Sequence, residues 1–186
     1  LGAVPRLIHL NGPTGVGKST LAARYAADHP KTLNLDADEI VRLIGGWQDD
    51  FFGTVDLVRP LALAMAATHL SSGNDVVMPQ LIARRGERDR FAQTARSAGA
   101  EYAEFVLLAP ADVAVARFRE RDHHIDGAVR ALGGAAMIRR ICDQFAGYVT
   151  PESVVIETGE ADADQTYEVL VAALAGDRHE PTAFRL

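Results

Sequence analysis

Residues Gly12 to Thr20 read Gly-Pro-Thr-Gly-Val-Gly-Lys-Ser-Thr and fit the pattern G-x-x-x-x-G-K-S/T, with Gly12, Gly17, Lys18 and Ser19 at its fixed positions. This stretch constrains the rest of the chain, because it works only between a strand and a helix. Both are in place. Arg6 to Asn11 is a short apolar run that reads as a buried strand, and Ser19 to Asp28 puts Leu21, Ala22 and Tyr25 on one helical face. Glycine lets such a loop wrap a polyphosphate closely, where a Cβ would collide or forbid the turn. The inward N–H groups and the positive end of the following helix then favour anions. The expected nucleotide contacts are Gly12, Pro13, Thr14, Gly15, Val16, Gly17, Lys18, Ser19 and Thr20, with Arg117 from farther along the chain. Lys18 would reach the β- and γ-phosphates, and the Ser19 hydroxyl would hold Mg²⁺, so ATP and Mg²⁺ are the expected cofactors.

The remaining chain alternates apolar runs with helical patterns. Further strands are predicted over Thr32–Asp36, Asp75–Gln80, Glu104–Ala109 and Ser153–Thr158. Helices are predicted from Asp38 to Ile44, Val55 to Leu70, Glu87 to Ala98, Ala111 to about Asp122, Ala135 to Tyr148 and Asp162 to Ala175, with Pro60 as a kink or boundary. This alternation implies an α/β three-layer sandwich, a five-stranded parallel sheet with helices on both faces. Residues 1–176 read as a single domain with a lid over about 117–140, and residues 177–186 as a loose tail.

At 186 residues the chain suffices for one well-buried domain. No apolar run is expected to approach the ~20 residues that span a bilayer. Leu1 to Pro5 resembles no signal peptide, and the lone Cys142 forms no internal disulfide, so a cytoplasmic protein without a membrane partner is expected. A net charge of −6 argues against nucleic acid as a partner. The expected partners are ATP and a small-molecule acceptor, on a monomer or homodimer.

In open parallel sheets ligands sit beyond the C-terminal strand ends, so the residues there are informative. Asp36 follows the second strand and is expected to take a proton from an acceptor hydroxyl or to hold the metal. Asp38 reads as the N-cap of the next helix. Arg117 and Arg121, four apart with a glycine-rich loop and Arg139-Arg140 beyond, read as a lid closing on the transferring phosphoryl group. Arg59, Gln80 and Arg84 are candidates for acceptor contacts, and Trp47, Phe51 and Phe52 for core packing or a pocket wall. His9 reads as packed within its strand. His123 and His124 lack a Cys or Glu at ligand spacing and do not read as a zinc site. The third strand ends in Pro79-Gln80 rather than in an acid that would order the magnesium shell.

Taken together, the loop, the Asp after the second strand and the arginines after the fourth resemble the nucleoside-monophosphate-kinase-like phosphate-loop kinases. That group includes gluconate and shikimate kinases and chloramphenicol phosphotransferase. A closer resemblance is to the tunicamycin-resistance ATP-binding protein family. It runs through Leu35-Asp36, Gln48 to Phe51, Arg59, Val76 to Ile82 and Ala114 to Arg121, about two thirds of the chain. The resemblance implies ATP binding and protection against a nucleoside-type or other small antibiotic by phosphorylation. It also implies that Asp36 stands where chloramphenicol-phosphotransferase-like enzymes carry their base. The residues leave open three readings: phosphotransfer to a small-molecule hydroxyl, ATP-dependent sequestration without transfer, and a nucleoside or polynucleotide 5′-hydroxyl kinase.

Overall fold

The computed structural model describes residues 3–121, 123–151 and 153–176. Its elements run β1 (Arg6–Asn11), α1 (Lys18–Asp28), β2 (Leu33–Asn34), α2 (Ala37–Val41), α3 (Phe51–Ser71), β3 (Val76–Pro79) and α4 (Arg85–Ser97). They continue with β4 (Glu101–Leu108), α5 (Ala111–Glu120), α6 (Asp126–Ala131), α7 (Gly134–Tyr148), β5 (Val154–Glu157) and α8 (Ala163–Gly176). The strands form one parallel sheet in the order β2-β3-β1-β4-β5. The expected three-layer α/β sandwich is therefore the observed fold. The expected tail lies outside the described residues.

Alternation along β1 builds both cores. Ile8 and Leu10 point to the side covered by α1 and α8, where they meet Leu21, Tyr25, Phe105 and Leu170. Leu7 points the other way, to Val58, Ala66, Leu70 and Phe91 on α3 and α4. Both faces of β1 are covered, which is why it reads as a continuous apolar run. The chain leaves β1 toward β2 and β3 and later returns to the opposite side through β4. The phosphate loop sits at this switch point, where a parallel sheet opens a crevice.

Asn11 joins that switch point to its neighbours. Its Oδ1 accepts from Gly12 N and Ile82 N, each at 2.8 Å. Its Nδ2 donates to Ile82 O at 2.9 Å and to Glu104 Oε1 at 2.8 Å. All four hydrogen-bonding capacities of this buried amide are met. One side chain thus fixes the start of the phosphate loop, the segment after β3 and a carboxylate on β4.

Several boundaries differ from expectation, two of them with a clear cause. β2 pairs only through Leu33 and Asn34, with Leu35 N adding a last bond to Val77 O. α3 starts four residues early, because Asp50 caps it by accepting from Gly53 N, and Pro60 lies inside it without ending it. At 21 residues with a mean hydropathy of 1.3, α3 is long and apolar enough by length and composition to cross a membrane, which corrects the expectation that no segment is. It was overlooked because Asp56, Arg59 and Pro60 interrupt the run. Here one face packs on the sheet through Val58, Ala62, Ala66 and Leu70, while Leu57, Leu61 and Met65 are exposed.

Replacing Asn11 by Leu keeps the volume but strands the Gly12 and Ile82 amides and takes one donor from the Glu104 carboxylate. Urea unfolding is expected to show a loss of about 3 kcal/mol or more. A change below about 1 kcal/mol would contradict the anchoring role.

Candidate active site

The phosphate loop takes its shape from three left-handed glycines, Gly12 (φ +137°), Gly15 (φ +88°) and Gly17 (φ +95°). A Cβ on Gly12 would lie 2.2 Å from Leu107 O, and one on Gly15 would lie 2.3 Å from Ala114 O. The loop is thus pressed against the end of β4 and against α5. Lys18 begins α1, and its Nζ donates to the carbonyls of Gly12 (2.9 Å) and Pro13 (2.7 Å), which holds the ammonium over the loop.

Loss of solvent pushes the Lys18 ammonium down to about 8, against the pull of Asp38 and Asp36. Asp38 responds in the opposite direction. Desolvation raises its carboxyl to about 6, the Asp36 carboxylate adds to the rise, and Lys18 opposes it.

The helix cap is not the acid expected for it. Asp36 is the N-cap of α2: its Oδ1 accepts from Asp38 N at 3.1 Å, and its Oδ2 accepts from Ser19 Oγ at 2.8 Å. Asp38, expected as the cap, is instead the second residue of α2 and lines a large cavity. The reason is where pairing stops. Leu35 N makes the last bond to β3, so Asp36 is the first residue free to turn the chain into a helix. Ser19 and Asp36 together form an oxygen pair beside the phosphate loop, and such donors fit a magnesium ion.

The cavity measures about 860 Å³. Thr14, Lys18 and Ser19 bring the phosphate loop into its wall, and Asp38, Arg121 and Arg140 share it. Arg59, Gln80 and Arg84 also line it, as expected of acceptor contacts, whereas Asp36 does not. Arg59 bonds Glu87 (3.2 Å) and Asp56 (3.4 Å). Much of the remaining wall is apolar, with Phe51, Phe52, Val55, Ile125, Val129 and Met137. Phe51 and Phe52 are thus wall, while Trp47 packs at the edge of the cores.

A second, smaller hollow of about 220 Å³ opens on the other side of the loop. It is lined by Gly17, Thr20 and Arg117 together with Thr158, Asp162 and Thr166 from the β5–α8 end of the sheet. Arg117 donates to Thr158 O at 2.7 Å, with Thr158 Oγ1 at 3.4 Å.

Arg117 and Arg121 therefore do not form one basic face. α5 ends at Glu120, and Arg121, its C-cap, still donates its N–H to Arg117 O, but the two side chains turn to different partners. Arg121 Nε instead bonds Asp126 Oδ1 at 3.0 Å and Oδ2 at 3.2 Å, and the buried Asp126 also accepts from His123 N. The segment expected as a lid has its own small core of Ala114, Val115, Phe118, Ile125, Val129 and Ile138.

Beneath the loop lies a polar cluster that sequence reasoning missed, apart from the packed His9. His9 Nε2 faces Gln80 O at 2.8 Å and must carry the proton there, so Nδ1 accepts from the Tyr102 hydroxyl at 2.8 Å. Complete burial lowers His9 to about 4 despite the nearby Glu104. Glu104 in turn takes bonds from Asn11, Tyr148 and Arg88. Alternation along β4 puts Tyr102 and Glu104 on the His9 face, the one signal that could have found them. Thr158 could have been found from its place just past β5.

Comparison with known proteins agrees with this geometry. The chain is similar in structure to the tunicamycin resistance protein of Deinococcus radiodurans (19% identity, TM-score 0.60), covering 92% of this chain and 96% of that one. It is similar to a gluconokinase from Sinorhizobium meliloti 1021 (18%, TM-score 0.56, 95% and 99% covered). It is also similar to a sugar kinase from Janibacter sp. HTCC2649 (20%, TM-score 0.58, 97% and 99%). At these identities the likeness shows the fold, that of the phosphate-loop kinases. No curated protein sequence matches the chain. Residues 7–143 match the family described as AAA domain. That match runs from β1 into α7, well over half of the sequence, and the chain belongs to the AAA domain family.

Proposed function

We propose that the protein is an ATP- and magnesium-dependent phosphotransferase whose acceptor is a hydroxyl group of a small molecule. One observation carries the reading: Lys18 of the phosphate loop and the desolvated Asp38 line the same 860 Å³ cavity. A carboxyl near 6 is ionised at neutral pH yet basic enough to receive a hydroxyl proton. Asp38 takes the proton of the acceptor hydroxyl as its oxygen attacks the γ-phosphorus of ATP. The bond from that phosphorus to the ADP oxygen breaks, and the acceptor leaves as a phosphate ester. Lys18 and Arg121 offset the charge on the phosphoryl oxygens. Ser19 and Asp36 would hold the magnesium ion, which supplies charge neutralisation across the phosphates. Arg117 and Thr158 would receive the adenosine side of ATP in the smaller hollow, with the segment around 117–140 acting as the lid.

The cavity wall also describes the acceptor. Its volume suits a drug-sized ligand, and its two sides differ, with aromatic and aliphatic residues facing Arg59, Gln80 and Arg84. A hydroxyl on an amphipathic body fits this wall better than a bare sugar does. That character and the likeness to a tunicamycin resistance protein support an antibiotic as acceptor, and with it drug resistance in the cytoplasm.

The direct test is mass spectrometry of amphipathic antibiotics, nucleosides and sugars incubated with protein, ATP and Mg²⁺. The expected result is a gain of one phosphate on an amphipathic member, lost in Lys18→Ala. ATP-dependent thermal protection by a compound, without a mass gain on any member, would overturn transfer in favour of sequestration.

The two acids are separable once an acceptor is in hand. Asp38→Asn is expected to cut turnover by roughly 10²- to 10⁴-fold while ATP affinity holds. Asp36→Asn should chiefly raise the Mg²⁺ concentration needed. The reverse pattern would return the base to Asp36.

Arg117→Ala is expected to weaken ATP binding, measured calorimetrically, and to leave inorganic triphosphate binding unchanged. An equal loss for both ligands would place Arg117 on the phosphates instead.

A further inference from the structure

His123 and His124 lie between α5 and α6, and the fold brings Glu39 of α2 against both. Glu39 Oε1 is 3.8 Å from His123 Nε2 and 3.6 Å from His124 Nδ1. One ligand atom from each of the three side chains falls within 4.8 Å of the others. The sequence offered no Glu at ligand spacing because the carboxylate comes from a helix more than 80 positions away.

His124 Nε2 lies 2.7 Å from Asp38 O, and a carbonyl only accepts, so Nε2 carries the ring proton. That bond turns Nδ1 toward the Glu39 oxygen, 3.6 Å away, where it can bind a metal ion once unprotonated. The same bond fixes ring orientation and tautomer, as the second hydrogen bond of a metal-bound histidine does. Among the described residues, His123 has no hydrogen-bond partner at its buried Nδ1. Its ring centroid lies 4.2 Å from that of His124. Bonds of about 2.1 Å in a tetrahedral zinc site put ligand atoms about 3.4 Å apart. The two distances to Glu39 are within a few tenths of an ångström of that.

We propose that Glu39, His123 and His124 form a binding site for a divalent transition-metal ion of the zinc type, clamping the α5–α6 link to α2. Two imidazoles and one carboxylate make a three-ligand set whose fourth position is left for water. The set is distinct from the all-oxygen pair Ser19 and Asp36, and nitrogen donors select against magnesium. The clamp would tie the segment carrying Arg121 to the helix carrying Asp38. Binding does not depend on the proposed phosphotransfer, since neither ATP nor an acceptor takes part.

The test uses untagged full-length protein without nucleotide. Zn²⁺ is titrated calorimetrically, and Co²⁺ is followed by its visible absorption. One equivalent of Zn²⁺ is expected to bind, with a Co²⁺ spectrum of nitrogen and oxygen ligation and a raised melting temperature. Glu39→Gln and His123→Ala should each weaken binding at least tenfold while ATP still binds. Glu39 is exposed and His123 half-buried, and the metal-free melting temperature of each variant confirms folding. No Zn²⁺ uptake by the wild-type protein, or equal uptake by wild type and both variants, would overturn the site.

Discussion

The structure depends on keeping one ammonium group charged in a place that disfavours charge. Lys18 loses most of its solvent at the end of β1 and would shed its proton more readily but for Asp38 and Asp36 nearby. The carboxylates need the lysine as much, because desolvation and mutual repulsion already raise Asp38 to about 6. Loop carbonyls occupy Nζ from one side, and Ser19 occupies one oxygen of Asp36. A polyphosphate and its counter-ion would complete this balance of charge, which is the electrostatic reason to read the site as one for a magnesium nucleotide.

The sheet makes that balance possible by geometry. Order β2-β3-β1-β4-β5 sends the chain both ways from β1, so the phosphate loop has a hollow on each side. Arg117 and Arg121 are divided between the two hollows, the first held by Thr158 and the second by Asp126. In the proposed reading the smaller hollow takes the base and the larger one the acceptor, with the loop at the boundary. Asn11 and the buried cluster around Glu104 fix this boundary from below, through bonds that leave no polar capacity of the asparagine unused.

Much of the fold was legible in the sequence, since parallel strands covered on both faces appear as uninterrupted apolar runs and the glycine loop has few alternatives. Legibility failed where the deciding partner lies elsewhere in the chain. Asp-Ala-Asp allows either acid to cap α2, and only the last sheet bond, from Leu35 to Val77, decides for Asp36. The spacing of Arg117 and Arg121 suggested a shared face, but their partners Thr158 and Asp126 draw them apart. Glu39 beside the two histidines, and Thr158 beside Arg117, are contacts of tertiary structure alone.

The proposal that Asp38 is the group poised to take a proton is tested most directly by ¹³C NMR titration of its side-chain carboxyl in the nucleotide-free protein. Asp38→Asn identifies the resonance. The account predicts a midpoint near 6, well above an ordinary aspartate, moving higher in Lys18→Ala as the opposing charge is removed. A midpoint near 4 that ignores Lys18 would contradict it, because Asp38 would then be a solvated surface acid.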